Sequence, residues 1–153
     1  MKTGNTIDIT LLLVRIISAA VVGAHGAQKL LGWFGGYGFE GTVGFFTQTF
    51  GLPYIFAFLI ILTESIGMIA LLAGLFSRLL STAIILIMLG AIVTMHGQFG
   101  FFMDWSNNQG GEGIEYHLLM IALSGVIVLN GPGVYSMDLL LLRKLPRFSP
   151  LIR

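Results

Sequence analysis

Cysteine is absent from this 153-residue chain, and charged residues are scarce. Without cysteine there is no disulfide, thiolate metal site or CxxC motif, so a redox function needs a bound cofactor or a partner protein. Charged residues make up 10% of the chain and hydrophobic residues 56%, whereas soluble domains carry about 25% charged residues. The net charge is only +1, and no long basic run occurs, so no nucleic-acid partner is expected. This composition predicts a membrane protein that contacts the lipid bilayer.

Four apolar stretches approach the roughly 20 residues that a helix needs to cross a bilayer. They predict spanning helices at 9–32, 52–76, 78–97 and 113–131. The first is interrupted by Arg15 and lacks a small-residue cleavage site, so a permanent helix is favoured over a signal peptide. The fourth is the weakest, because Glu115 and His117 lie in its first turn. The expected fold is an all-α membrane protein, a four-transmembrane-helix bundle that forms one membrane domain over 1–153.

The connections between these helices predict the remaining architecture. The apolar stretch that ends at Phe50 is too short to span, so a short interfacial or re-entrant helix is expected in the first outer loop. The second and third helices are joined by a tight turn at Ser77 and Arg78. Basic residues gather on the side of this turn and of both termini: Lys2, Arg78, Arg143, Lys144, Arg147 and Arg153. The positive-inside rule places that side in the cytoplasm, with the tail 133–153 along the membrane interface.

Ionisable residues within the apolar stretches are the first candidates for function, because each costs about 2.5–3.5 kcal/mol on insertion scales. In the first helix, one face carries Arg15, Ser18, Val22, His25 and Lys29 at steps of three and four. We expect this polar face to point into the bundle. Glu64 is the only charge in the second helix, and its depth predicts an Arg15–Glu64 ion pair near the midplane. The pair could be a structural clamp or a functional element.

A second cluster of ionisable residues is expected at the outer ends of the helices: His25, Lys29, His96, Glu112, Glu115 and His117. Glu112 and Glu115 are three residues apart and share a face, whereas His117 is expected to point elsewhere, with Ile121 and Ser124. No HxxxH, HExxH or ExxH spacing occurs within a helix, so no metal ligand is assigned. Polar residues at the interface or a head-group pocket are the alternatives. A quinone would suit the pocket, since its carbonyls need donors and its proton exchange needs His or Glu.

A series of motifs, in order along the chain, resembles the DoxX family of small bacterial membrane proteins. The segments are His25-Gly26-Ala27-Gln28-Lys29-Leu30-Leu31-Gly32, Gly35-Gly36-Tyr37-Gly38-Phe39-Glu40-Gly41-Thr42, Gly51-Leu52-Pro53, Gly74-Leu75-Phe76-Ser77-Arg78 and Gly131-Pro132-Gly133, with Glu64, His96 and Glu115-Tyr116 between them. The resemblance implies a four-helix protein of the bacterial inner membrane and an association with oxidoreductases. Some relatives are subunits of thiosulfate:quinone oxidoreductase or are linked to quinol oxidation, and others associate with redox-defence proteins.

Three functions are compatible with these residues. The favoured hypothesis is a quinone-linked oxidoreductase subunit. Its catalytic residues would be His25, Glu64, His96 and Glu115, and its quinone-binding residues Lys29, Arg15, Trp33 and Tyr116. The second is a non-catalytic scaffold subunit that binds other membrane protein subunits or self-associates through its aromatic loops. The third is a small-solute or proton pathway, which is the least favoured because the chain shows no inverted repeat and no helix broken by proline.

Overall fold

The computed structural model describes residues 3–144 of the chain. Seven α-helices form most of this range: α1 (Thr3–Leu31), α2 (Gly38–Thr49), α3 (Tyr54–Glu64), α4 (Ile66–Ala73), α5 (Ser77–Ala91), α6 (Glu115–Asn130) and α7 (Met137–Lys144). No strand occurs within these residues, so the predicted all-α class is confirmed. Three segments are long and apolar enough to cross a membrane: Thr6–Leu31, Tyr54–Ala73 and Ser77–Phe99. Helix α6 is apolar but shorter.

The helices pack around one apolar core. Helix α1 contacts α2, α3, α4 and α6, and the most extensive packing is between α5 and α6. Their inward faces contribute buried side chains that include Val22, Met68, Ile84, Met120 and Ile127. Many of the other large apolar side chains of these helices are exposed, as is expected where lipid rather than water is the solvent. The described residues therefore form a helical bundle with an apolar exterior.

The second predicted helix, 52–76, is not continuous. It is divided at Ser65, whose φ of −103° and ψ of −86° are not helical. The backbone N–H of Ser65 donates to the Ile61 carbonyl at 3.0 Å, and its hydroxyl donates to the same oxygen at 2.5 Å. A serine that bonds back to the preceding turn bends helices. The predicted spanning segment therefore consists of two helices in direct succession, and Glu64 is the last residue of α3.

A short helix, α2, occupies the first long connection and contacts both α1 and α3. The third predicted helix, 78–97, is α5 followed by a π-helical turn at Ile92–His96 and a 3₁₀ turn at Gly97–Phe99.

We call the end of the bundle with the connections 32–53 and 97–114 the loop end. The opposite end, with the α4–α5 turn and α7, is called the turn end.

Helix α7 closes the turn end through Asp138. The carboxylate of Asp138 accepts hydrogen bonds from the backbone N–H groups of Phe76 at 2.8 Å and Ser77 at 2.9 Å. Its own N–H donates to the Gly74 carbonyl at 2.9 Å. Asp138 thereby caps α5 from a distant part of the chain and is only 2% exposed. The described part of the predicted tail 133–153 is thus docked on the bundle, while residues 145–153 lie outside the described range.

We expect the substitution Asp138→Ala to lower the free energy of unfolding by about 2 kcal/mol, because it leaves two buried N–H groups at the start of α5 without an acceptor. Thermal unfolding of the purified protein in detergent measures this effect. Asp8→Ala is a matched control, since Asp8 also accepts one backbone bond, from Val134 at 3.1 Å, but at an exposed position. Equal losses of stability in both variants would contradict the role given to Asp138.

Candidate functional site

An ion pair between α1 and α3 is the centre of the candidate site. The Lys29 ammonium donates a hydrogen bond to Oε2 of Glu64. The Glu64 side chain is 4% exposed and that of Lys29 is 25% exposed. The predicted Arg15–Glu64 pair is therefore wrong. Lys29 lies on the same face of α1 as Arg15, about 21 Å further along at the helical rise, and reaches Glu64 because the break at Ser65 ends α3 beside the last turns of α1.

The close approach of α1 to this break depends on Gly26. A Cβ atom at position 26 would overlap the carbonyl oxygen of Glu64 and lie 2.6 Å from the nitrogen of Ser65. Backbone is therefore packed directly on backbone, as small residues allow between membrane helices. The contact holds Glu64 against the last two turns of α1. Three residues therefore position the ion pair: Gly26 and Lys29 in α1, and Ser65, whose hydroxyl bonds to the preceding helical turn.

Four aromatic rings continue the site from α1 to α6. The rings of His96 and His117 are 4.2 Å apart between centroids. Tyr116 and His117 are 5.3 Å apart, and His25 and Tyr116 are 5.7 Å apart. His25 precedes Lys29 by one turn on the same face, so it connects the rings with the ion pair. We call His25, Lys29, Glu64, His96, Tyr116 and His117 the loop-end cluster.

The π-helical turn Ile92–His96 presents His96 to this cluster. A π turn is closed by i→i+5 hydrogen bonds, one residue wider than those of an α-helix, and such turns are frequent at functional sites. Nδ1 of His96 lies 2.8 Å from the carbonyl oxygen of Glu112, which fixes the ring against the second long loop. This geometry makes Nδ1 a donor, so the other ring nitrogen of a neutral His96 is left as a base.

The residues of the loop-end cluster differ in how much of each is exposed. Glu64 and His117 are buried, with 3% and 5% of the residue exposed, whereas His25 is exposed. The Tyr116 hydroxyl is buried and has no hydrogen-bond partner among the described residues. Unpartnered buried polar atoms are rare in folded proteins and indicate water or a ligand. The cluster therefore has a free polar atom in its interior, while His25 is exposed at its edge.

The other predicted site residues lie outside this cluster. Glu115 begins α6, and its Oε1 accepts the backbone N–H of Met103 at 2.9 Å, so it organises the second long loop. Trp33 is 59% exposed in the short turn after α1. Arg15 is fully buried at the turn end, where it donates to the Tyr135 carbonyl. Their predicted catalytic and quinone-binding roles stay predictions, and the structure brings none of the three to the ion pair.

His117 is a residue of the site that the sequence analysis placed in the outer cluster, on the face of Ser124, without giving it a role. It contacts His96 and lies on the buried face of α6. That face also carries Met120, Ser124 and Ile127 at helical spacing. The alignment of a histidine with a small polar serine was the available signal. No group of three His, Asp or Glu side chains within residues 3–144 is placed to hold a metal ion.

The fold and this cluster define a multi-pass helical membrane protein with an ionisable site in its interior. The family model for DoxX matches residues 10–97, more than half of the chain, so the protein belongs to the DoxX family. A curated relative from Bacillus subtilis (strain 168), named "Putative oxidoreductase CatD", is 29% identical over 134 residues, which are 88% of each chain. No solved structure matches the chain.

Proposed function

We propose that this protein is a quinone-binding subunit of a membrane oxidoreductase and that the loop-end cluster holds the quinone head group. The observation that carries the proposal is the part-buried Lys29–Glu64 pair, with the free Tyr116 hydroxyl in the same cluster. Ionisable residues inside a membrane protein are costly and mark functional sites by default. The name of the Bacillus relative, an oxidoreductase, agrees with this class of reaction.

The cluster supplies the groups that a quinone needs. Lys29 and His25 donate hydrogen bonds to one carbonyl oxygen, and the Tyr116 hydroxyl is free to donate to the ring or to a bound water. Conversion of a quinone to a quinol takes up two electrons and two protons. His96, His117 and Glu64 exchange the protons, since imidazole and carboxylate are the usual general acids and bases. The chain has no cysteine, so the electrons come from a bound cofactor or a partner protein.

The membrane topology is part of the proposal. With α6 as the fourth spanning helix, its Glu115–Asn130 range covers about 24 Å at the helical rise, and the flanking Ile114 and Gly131 extend it toward the thickness of the hydrocarbon core. Both termini then lie on the turn-end side. The basic residues in the sequence of that side support a cytoplasmic position in a bacterial inner membrane, with the loop end outside and α2 at its interface.

The loop end also carries exposed aromatic side chains that suit a protein partner. Trp105 is 89% exposed, Tyr37 76%, Phe34 73% and Phe102 66%. Aromatic residues are enriched in protein interfaces and at the head-group level of membranes. We propose that an electron-donating subunit docks here. The scaffold hypothesis uses the same surface without chemistry at the cluster, so quinone binding separates the two functions.

Quenching of tryptophan fluorescence by a soluble quinone tests the proposal. The chain has two tryptophans, and the variant Trp105→Phe leaves only Trp33, four residues beyond Lys29. We expect saturable quenching of Trp33. Lys29→Met should raise the dissociation constant about tenfold or more, because hydrogen bonds to charged groups contribute about 1.5–3 kcal/mol. Tyr116→Phe should weaken binding by a smaller factor.

Leu119→Ala is the control for this titration, since Leu119 is 65% exposed on the lipid face of α6. It should bind quinone like the parent protein. Quenching that rises linearly with quinone concentration, and that is the same in the parent, Lys29→Met and Leu119→Ala, would show only partition into the detergent. That result would reject the quinone site and leave the scaffold hypothesis.

A further inference from the structure

The side-chain amide of Gln28 connects His25 with the short turn Trp33–Gly35 that follows α1. Oε1 of Gln28 lies 3.1 Å from Nδ1 of His25, one turn earlier on the same helix. Nε2 of Gln28 donates to the carbonyl oxygen of Phe34 at 3.5 Å. One end of the amide therefore contacts the loop-end cluster, and the other end contacts the turn.

The backbone holds this turn against Gln28. The N–H of Gly36 donates to the Trp33 carbonyl at 3.0 Å, which closes the turn. A Cβ atom at position 36 would overlap the carbonyl oxygen of Gln28 and lie 2.5 Å from its Cα. Glycine allows this close approach of backbone to backbone. The position of the Phe34 carbonyl relative to the Gln28 side chain is therefore set by the main chain.

The Phe34 carbonyl decides which end of the Gln28 amide faces His25. A carbonyl oxygen only accepts hydrogen bonds, so the amide nitrogen is the end that faces Phe34. The reverse orientation would place two oxygens against each other. The amide oxygen then faces Nδ1 of His25 and also only accepts, which assigns the hydrogen to Nδ1. The neutral His25 ring therefore keeps a free lone pair on Nε2.

We propose that Gln28 is a positioning residue for proton transfer and that Nε2 of His25 is the atom that transfers the proton. The role in proton transfer rests on the proposed quinone function. The two ring nitrogens point in different directions, so Nε2 is directed away from Gln28. When the ring carries its second proton, Nε2–H donates to a quinone carbonyl oxygen. As the electron-donating subunit reduces the quinone, this N–H bond breaks and an O–H bond forms, which supplies one of the two protons of the quinol.

The exposure of His25 provides the way in which the ring regains its proton. His25 is exposed at the edge of the cluster, whereas Glu64 and His117 are buried. After the transfer, the neutral ring takes up a proton from water at the loop end. Because Gln28 keeps the hydrogen on Nδ1, the new proton binds at Nε2. The ring thus returns to its starting state without changing its orientation.

Nuclear magnetic resonance of the full chain in detergent micelles, with nitrogen-15 in its histidines, tests the tautomer. The chain has three histidines, and His25→Asn identifies the signals of His25 by their loss. At about pH 9, where histidine side chains are ordinarily neutral, we expect a protonated Nδ1 and an unprotonated Nε2. Gln28→Met should give a mixture of both tautomers, since no acceptor then holds the Nδ1 hydrogen. A protonated Nε2 in the parent protein, or the same signals in Gln28→Met, would overturn the role of Gln28.

Two further variants complete this measurement. Gln28→Glu is the conservative change, because its carboxylate still accepts from Nδ1–H, and it should keep the parent tautomer. Gln98→Met is the matched control, since Gln98 also donates from Nε2 to a backbone carbonyl, that of Met95 at 3.0 Å. It should leave the His25 signals unchanged. A mixture of tautomers in Gln28→Glu would contradict the proposal, and the result for the parent protein does not depend on the folding of any variant.

Addition of a soluble quinone at about pH 5.5, where histidine is ordinarily protonated, separates this role from the quinone function itself. Saturable quenching of Trp33 in the Trp105→Phe protein reports whether quinone binds. If it binds, the Nε2 signal of His25 should shift while the Nδ1 signal stays in place. Binding without a shift of Nε2 would reject proton transfer by His25 and leave the quinone site. Absence of binding would reject both, whereas the tautomer at pH 9 would still decide whether Gln28 positions the ring.

Discussion

Replacement of Glu64 by alanine is expected to lower the free energy of unfolding by about 3 kcal/mol, the lower end of the range for broken buried ion pairs. The loss arises because Lys29 keeps its charge after its partner is removed. The site of the removed carboxylate is largely shielded, since the Glu64 side chain is only 4% exposed. The value is at the lower end because the Lys29 side chain retains 25% exposure. Thermal unfolding of the purified variant in detergent measures it. The same variant should lose saturable quinone quenching.

A double variant separates stability from function. Glu64→Leu combined with Lys29→Met removes both charges and fills the space with apolar atoms, so most of the lost stability should return. Quinone binding should remain absent, since the donor and the proton-exchanging group are both gone. If the double variant is as unstable as Glu64→Ala, the ion pair is not the source of the loss. If it binds quinone normally, the pair is only a structural clamp.

The substitution Gly26→Ala is expected to cost about 3 kcal/mol of stability, a large effect for one added methyl group. Its Cβ would overlap the Glu64 carbonyl oxygen and approach the Ser65 nitrogen to 2.6 Å. Both atoms belong to backbone, which cannot rotate away as a side chain can, so α1 must move from the α3–α4 break. The movement would also separate Lys29 from Glu64. We therefore expect weaker quinone binding together with a lower unfolding temperature.

Gly90→Ala provides the matched control in α5. Gly90 is helical and exposed, and a Cβ there would have no neighbour within 4 Å. Alanine should be neutral there or raise stability by as much as about 1 kcal/mol, as the difference in helix propensity predicts. A loss of stability at Gly90 as large as at Gly26 would mean that glycine is needed in these helices for another reason than close backbone contact.

Much of the fold is predictable from the sequence because lipid imposes a simple rule. Every long apolar run has to satisfy its backbone hydrogen bonds internally, so it becomes a helix. The bounds 9–32 and 78–97 accordingly agree with the main parts of α1 and of α5 with its π turn. The break at Ser65 is not visible in this way. No proline marks it, and the apolar run continues through it, because the cause is a hydroxyl bonded to the preceding turn.

The candidate site is predictable in part for a similar reason. The polar face of α1 identified His25 and Lys29, and the lone charge of the second helix identified Glu64. The pairing was wrong because depth was counted along an unbroken helix, which placed Glu64 level with Arg15. Sequence periodicity also does not predict the direction of a side chain after an irregular turn. The π turn that aims His96 at His117 is such a case, and the loop bond that occupies Glu115 is another.

Photoaffinity labelling tests the central claim, that a quinone head group binds in the loop-end cluster, most directly. The full chain in lipid is illuminated with an azido-quinone, and the labelled peptides are identified by mass spectrometry, with excess unmodified quinone as competitor. The account predicts competed labels on the α1 segment that contains His25 and Lys29 and on the α6 segment that contains Tyr116 and His117. Labels spread over lipid-facing residues of α5, unaffected by the competitor, would contradict it.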